Sequence, residues 1–74
     1  MDCAARAKEQ YDYWNESERN AALSEVERVL KSQDMRERHI DGWRRKTRAS
    51  DATDGEKVYA HLALMFASEL GMVN

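Results

Sequence analysis

His39, His61 and Cys3 are the side chains from which catalysis or metal binding would have to be assembled in this 74-residue chain. A nucleophile needs a base within hydrogen-bond reach and a third group to orient that base. The chain holds no GxSxG, HExxH or glycine-rich phosphate loop. His61 and Ser68 share one side of a helix but lie two turns apart, about 10 Å along its axis. A packed helical chain of this size also leaves little room for a cleft. We therefore expect no catalytic residue and no enzymatic activity. Structural zinc wants four Cys or His ligands, paired two to four residues apart. One thiol and two separated imidazoles fall short, so neither a metal nor a cofactor is expected. His61 reads as part of a polar strip or as a hydrogen-bonding group at a dimer interface, and His39 as a half-buried packing residue. Cys3, close to a fraying terminus, should be inert.

Charge is the more informative feature. Between Arg36 and Arg48, six basic residues (Arg36, Arg38, Arg44, Arg45, Lys46, Arg48) face only Glu37 and Asp41, a net of +4. With a total of −2, the rest of the chain carries −6. A basic band on an acidic body can meet a phosphate, meet an acidic protein, or close on its own acidic neighbours. Residues 21–47 resemble a helix-turn-helix, with Ile40 and Trp43 as the inward residues of a reading helix. Base contacts, however, come from the N-terminal part of such a helix. That part here is Asp34-Met35-Arg36-Glu37-Arg38, which points carboxylates toward phosphates. The turn has no glycine, and an acidic chain gains little from counterion release.

Three aromatic residues cluster at Tyr11, Tyr13 and Trp14, and such residues often anchor interfaces. Tyr11 and Trp14 continue an alanine stripe and should be core. Tyr13 lies off that stripe and should be exposed.

The elements that position these groups are helical throughout, because proline is absent and glycine rare. Ala4, Ala7, Tyr11 and Trp14 predict a helix over about 2–14, with Asp2 near its positive end. The polar stretch 15–20 separates two stripes about 80° out of phase, so a break is expected there, capped by Asn15, Ser17 or Asn20. A second helix follows over 21–32, with Ala22, Leu23, Val26, Val29 and Leu30 inward. Asp34 to Glu37 reads as a capping box opening a third helix over 34–47, with Met35, His39, Ile40 and Trp43 inward. Thr53-Asp54-Gly55-Glu56 is a second capping box, starting a helix over 54–71 that ends at Gly71. The segment from Val58 to Val73 is apolar on nearly every side and must be covered by the rest of the chain or by a second copy.

These readings predict a single all-α domain over 1–74, a bundle of three to four helices with the apolar C-terminal helix at its centre. So small a chain buries only about 60% of its unfolded surface, and one cysteine offers no disulfide, so association is the natural supplement. We expect a homodimer through Tyr59, Leu62, Met65, Phe66 and Leu70. The longest apolar run is too short to cross a membrane, and residues 1–7 lack the apolar core of a secretory signal, which predicts a cytoplasmic protein. The function expected is a non-enzymatic protein-binding module, an inhibitor or adaptor of phage or mobile-element type. It would occupy an acidic surface of a larger partner through Tyr13, Trp43, Arg44, Arg45, Lys46 and Arg48. The alternative is a small dimeric DNA-binding regulator of helix-turn-helix type.

Overall fold

A computed structural model describes residues 2–73 and contains four helices: α1 (Cys3–Tyr13), α2 (Glu16–Leu30), α3 (Gln33–Lys46) and α4 (Asp54–Glu69). Among the described residues there is no strand, and no helix is long and apolar enough to cross a membrane. The fold is all-α, as the sequence predicts.

Local chemistry sets most helix ends. The Asp2 carboxylate accepts from the amides of Ala4 and Ala5 at the start of α1. Trp14 and Asn15 are extended, which breaks the chain between the two out-of-phase stripes. Asn15 then caps α2 in a full capping box, accepting from the Glu18 amide at 2.8 Å while the Glu18 carboxylate takes the Asn15 amide at 3.2 Å. Helix α2 thus starts five residues before the expected Ala21. Glu16 and Glu18 suit the positive end of its dipole, so the polar stretch belongs to the first turn of the helix.

The expected capping box at Asp34 does not form. A two-residue turn starts α3 at Gln33, so Asp34 lies inside the first turn, and Ser32 at the N-cap makes no side-chain bond. Arg36 instead reaches back and donates from Nε to the Leu30 carbonyl at 3.0 Å, satisfying an orphan acceptor of α2. Met35, expected inward, is exposed: it lies about 140° around α3 from Ile40, the buried residue of that helix.

Helix α4 has the capping box its sequence announces: Thr53 Oγ1 accepts from the Glu56 amide at 3.1 Å, and Glu56 takes the Thr53 amide at 3.0 Å. It ends in a Schellman motif. Gly71 adopts φ 73°, its amide meets the Ser68 carbonyl, and the Met72 amide meets the Ala67 carbonyl.

Helix α4 packs against α1, α2 and α3, and α2 against α3. Cys3 lies beside Asp54 at one end of the α1–α4 pair and Tyr11 beside Glu69 at the other, so these two helices run parallel. Helix α3 runs antiparallel to α4, with Lys46 beside Glu56 at one end and Ile40 beside Met72 and Val73 at the other. The core is small: Ala7, Val26, Leu30, Ile40, Leu62, Ala63, Phe66 and Ala67 are buried, and among the described residues only Phe66 and Leu30 are large side chains fully enclosed. Tyr11 and Trp14 pack on Phe66, with ring centroids at 5.5 and 6.3 Å. Cys3 is buried, its Sγ 3.9 Å from Asp54, and so forms part of the α1–α4 contact where a fraying end was expected.

Gly42 sits exposed in the middle of α3, and a Cβ built there meets nothing within 4 Å. Gly42→Ala is therefore expected to stabilise the chain by about 1 kcal/mol through helix propensity. A thermal melt should show the midpoint about 4–8 °C higher.

Candidate functional site

The residues expected to bind a partner do not form one patch. Trp43 is half-buried, packed on the core and 6.0 Å from the His39 ring. Beside it lies Tyr59, 55% exposed and outside the core cluster. Tyr59 belonged to the expected dimer stripe, but the antiparallel crossing of α3 on α4 brings it to Trp43. The two rings, with Lys46, Gly55, Glu56 and Ala60, line an open apolar groove of about 370 Å³ at the α3–α4 corner. Gly55 carries no side chain there, and a Cβ would approach only Thr53 Oγ1, at 3.9 Å.

The basic residues fan out around the end of α3. Lys46 Nζ lies 3.3 Å from Glu56 Oε2 and closes on its own chain. Thr53 and Lys46 together hold the Glu56 carboxyl below the ordinary carboxylate range: the Thr53 amide contributes most, then its hydroxyl contact, then the ammonium. Arg44 lies on the opposite flank of α3, 4.0 Å from Asp41 and beside Glu37, Met72 and Val73. Among the described residues, Arg38, Arg45 and Arg48 have no carboxylate within ion-pair distance. Arg45 faces solvent, and Arg48 follows in the loop after the helix.

At about 100° per residue, Asp34 and Asp41 each fall about 40° from Arg38 and Arg45 on the outward face of α3. That face alternates in sign along its length.

Tyr13 is 83% exposed but stands apart from the corner, its surroundings formed by Arg6, Glu9 and Gln10 of its own helix. The expected dimer stripe is also divided. Leu62 and Phe66 are buried among side chains of their own chain, Phe66 under Tyr11 and Trp14, so they are not open to a second copy. Met65 and Leu70 are half-buried against the same core.

No family model, curated protein or solved structure matches the chain.

Two features of the molecule escape sequence reasoning. Glu69, which looks misplaced on an apolar helix, accepts the Tyr11 hydroxyl at 3.0 Å. This bond to the carboxylate raises the Tyr11 phenol above its ordinary value, with partial desolvation and the negative charge of Glu69 adding to it. The Arg19 guanidinium lies over the same ring, 5.2 Å from its centroid. Among the described residues no group of His, Cys, Asp and Glu is placed to share a metal ion.

Proposed function

We propose that the chain is a non-enzymatic protein-binding module that uses the α3–α4 corner to occupy a surface of a larger protein. The observation that carries this reading is the pairing of Tyr59, largely exposed, with half-buried Trp43 across an apolar groove. Trp and Tyr supply large contact area at low entropic cost and are the residues most enriched among binding hot spots. The groove takes an apolar side chain of the partner. Arg45 and Arg48 lie outside the groove lining; free of ion pairs within the described residues, they favour approach to an acidic partner. Lys46 and Arg44 contribute less, because each already has a carboxylate of its own chain nearby. Tyr13 is not part of this surface.

The mixed sign of the outward α3 face supports the protein-binding reading over a DNA-binding regulator. A reading helix would have to bring Asp34 and Asp41 toward the phosphates together with Arg38 and Arg45, which offsets the gain from counterion release. The expected result of titrating the chain with a mixed-sequence duplex is no change in sedimentation even at low salt. A shift that weakens steeply as salt rises toward about 200 mM would put the DNA reading first.

A further inference from the structure

A strip along one side of α3 runs on from the α3–α4 corner. Met35, His39, Gly42 and Lys46 follow the four-three-four spacing of a heptad seam. With Trp43 they fall within an arc of about 100°, and from Met35 to Lys46 the strip spans about 17 Å at 1.5 Å per residue. Met35 is 40% exposed, Gly42 is exposed, and His39 and Trp43 are half-buried. At its Trp43 end the strip opens into the groove shared with Tyr59 of α4. Met35 and Tyr59 are thus two of the three large apolar side chains exposed among the described residues, Tyr13 on α1 being the third.

Gly42 is not explained by the packing of this chain. A glycine in mid-helix costs stability, yet its φ is not positive and a Cβ there would meet nothing within 4 Å. Neither the backbone nor a neighbouring side chain requires it. What it provides is a notch between Met35 on one side and Trp43 and Lys46 on the other, where a second backbone can come close.

We propose that the strip and the corner groove together bind one acidic amphipathic helix of the partner, which crosses α3 at Gly42. The inference rests on the corner reading above and extends it to Met35, Gly42 and Arg38. Charge selects an acidic occupant. Arg38 and Arg45 follow about 40° and 60° beyond Gly42, with no carboxylate within ion-pair distance among the described residues. Asp34, Glu37 and Asp41 lie at least about 80° from either edge of the strip. Glu37 and Asp41 line a separate groove, with Met72 and Val73. Glu56, at the end of the strip, already accepts on both oxygens from its own chain, from the Thr53 amide and from Lys46. Lys46 keeps two of its three N–H donors. The surface therefore offers donors and cations, which complement carboxylates.

Shape selects a helix. The described residues form no strand, so they offer no sheet edge to an extended segment. The length of the strip matches about three helical turns. Packed helices lie about 8–10 Å apart, depending on the side chains at the contact. One apolar side chain of the partner helix meets Met35 and another enters the groove between Trp43 and Tyr59.

Selection of random peptides of about sixteen residues on the immobilised full chain, followed by synthesis of those enriched, tests the proposal. The peptides expected have apolar residues at three- and four-residue steps, Asp and Glu between them and no proline, and they turn helical on binding by circular dichroism. Gly42→Leu fills the notch and should weaken their binding about tenfold or more. The same variant should melt no lower than the wild type, because leucine is the better helix former. Replacing Arg38 and Arg45 together by Glu should also weaken binding and flatten its dependence on salt. Enrichment of basic peptides, of proline-rich extended ones, or of none above a blank surface overturns the proposal. Binding lost in Tyr59→Ala but unchanged in Gly42→Leu overturns the helix on α3 and leaves the corner as the partner surface. Binding unchanged in Tyr59→Ala overturns both readings.

Discussion

Phe66→Ala is expected to leave the chain largely unfolded at 25 °C. Truncating a buried phenylalanine costs about 3–5 kcal/mol, from lost transfer energy and from the cavity left behind. A 74-residue chain has only about 4–11 kcal/mol of stability at the usual value per residue. Phe66 is 2% exposed and, with Leu30, is one of only two large side chains fully enclosed among the described residues. The Tyr11 and Trp14 rings rest on it, and together they join α1 to α4. Such aromatic contacts add roughly 0.5–1.5 kcal/mol each beyond area burial. With so few buried residues around it, the site has no alternative packing to fall back on. Far-ultraviolet circular dichroism and a urea titration would read the loss directly. Phe66→Leu, which keeps an apolar branched side chain, should stay folded with a lower midpoint. An alanine variant that melts within a few degrees of the wild type would show that the core is organised around other residues.

The second large effect concerns binding. Tyr59→Ala is expected to leave the thermal midpoint nearly unchanged, because the ring is 55% exposed and lies outside the core cluster. Surface substitutions of this kind usually change stability by no more than about 0.5 kcal/mol. Partner affinity, by contrast, should fall about thirtyfold or more, the cost of a hot-spot residue at about 2 kcal/mol. The loss should lie mainly in a faster off-rate, as is usual for variants of one interface. Trp43 is the less informative position. Its indole packs on the core, so its truncation would mix instability with lost binding.

The features legible in the sequence are those written within a few residues of one another. The capping box from Thr53 to Glu56 and the glycine stop at Gly71 are local, and both form where the sequence places them. Asn15 was one of three candidate caps, and the choice among them rested on whether Glu16 to Asn20 were helical. A polar stretch does not answer that, because an exposed first turn and a loop have the same composition. Asp34 misled for a related reason: the two-residue turn before α3 depends on how α2 and α3 pack.

Longer-range features were not legible. An apolar stripe on α4 predicts that Leu62 and Phe66 are covered, but not whether the cover is the rest of the chain or another copy. Tyr59 and Trp43 are sixteen positions apart, and they meet only because α3 folds back across the start of α4. Cys3 and Asp54 are separated by 51 positions, so nothing near Cys3 announces its burial. The candidate site is thus partly one the sequence pointed to, at Trp43 and Lys46, and partly one that folding assembles, at Tyr59.

The two exposed tyrosines allow the most direct test of the α3–α4 corner. The wild-type chain, Tyr59→Ala and Tyr13→Ala would each be immobilised and used to capture proteins from nuclease-treated extract of the native cell, with bound proteins quantified by mass spectrometry. The account predicts a protein enriched equally by the wild type and Tyr13→Ala and depleted about thirtyfold on Tyr59→Ala. Capture that survives Tyr59→Ala but fails on Tyr13→Ala would place the binding surface on α1 and contradict the account.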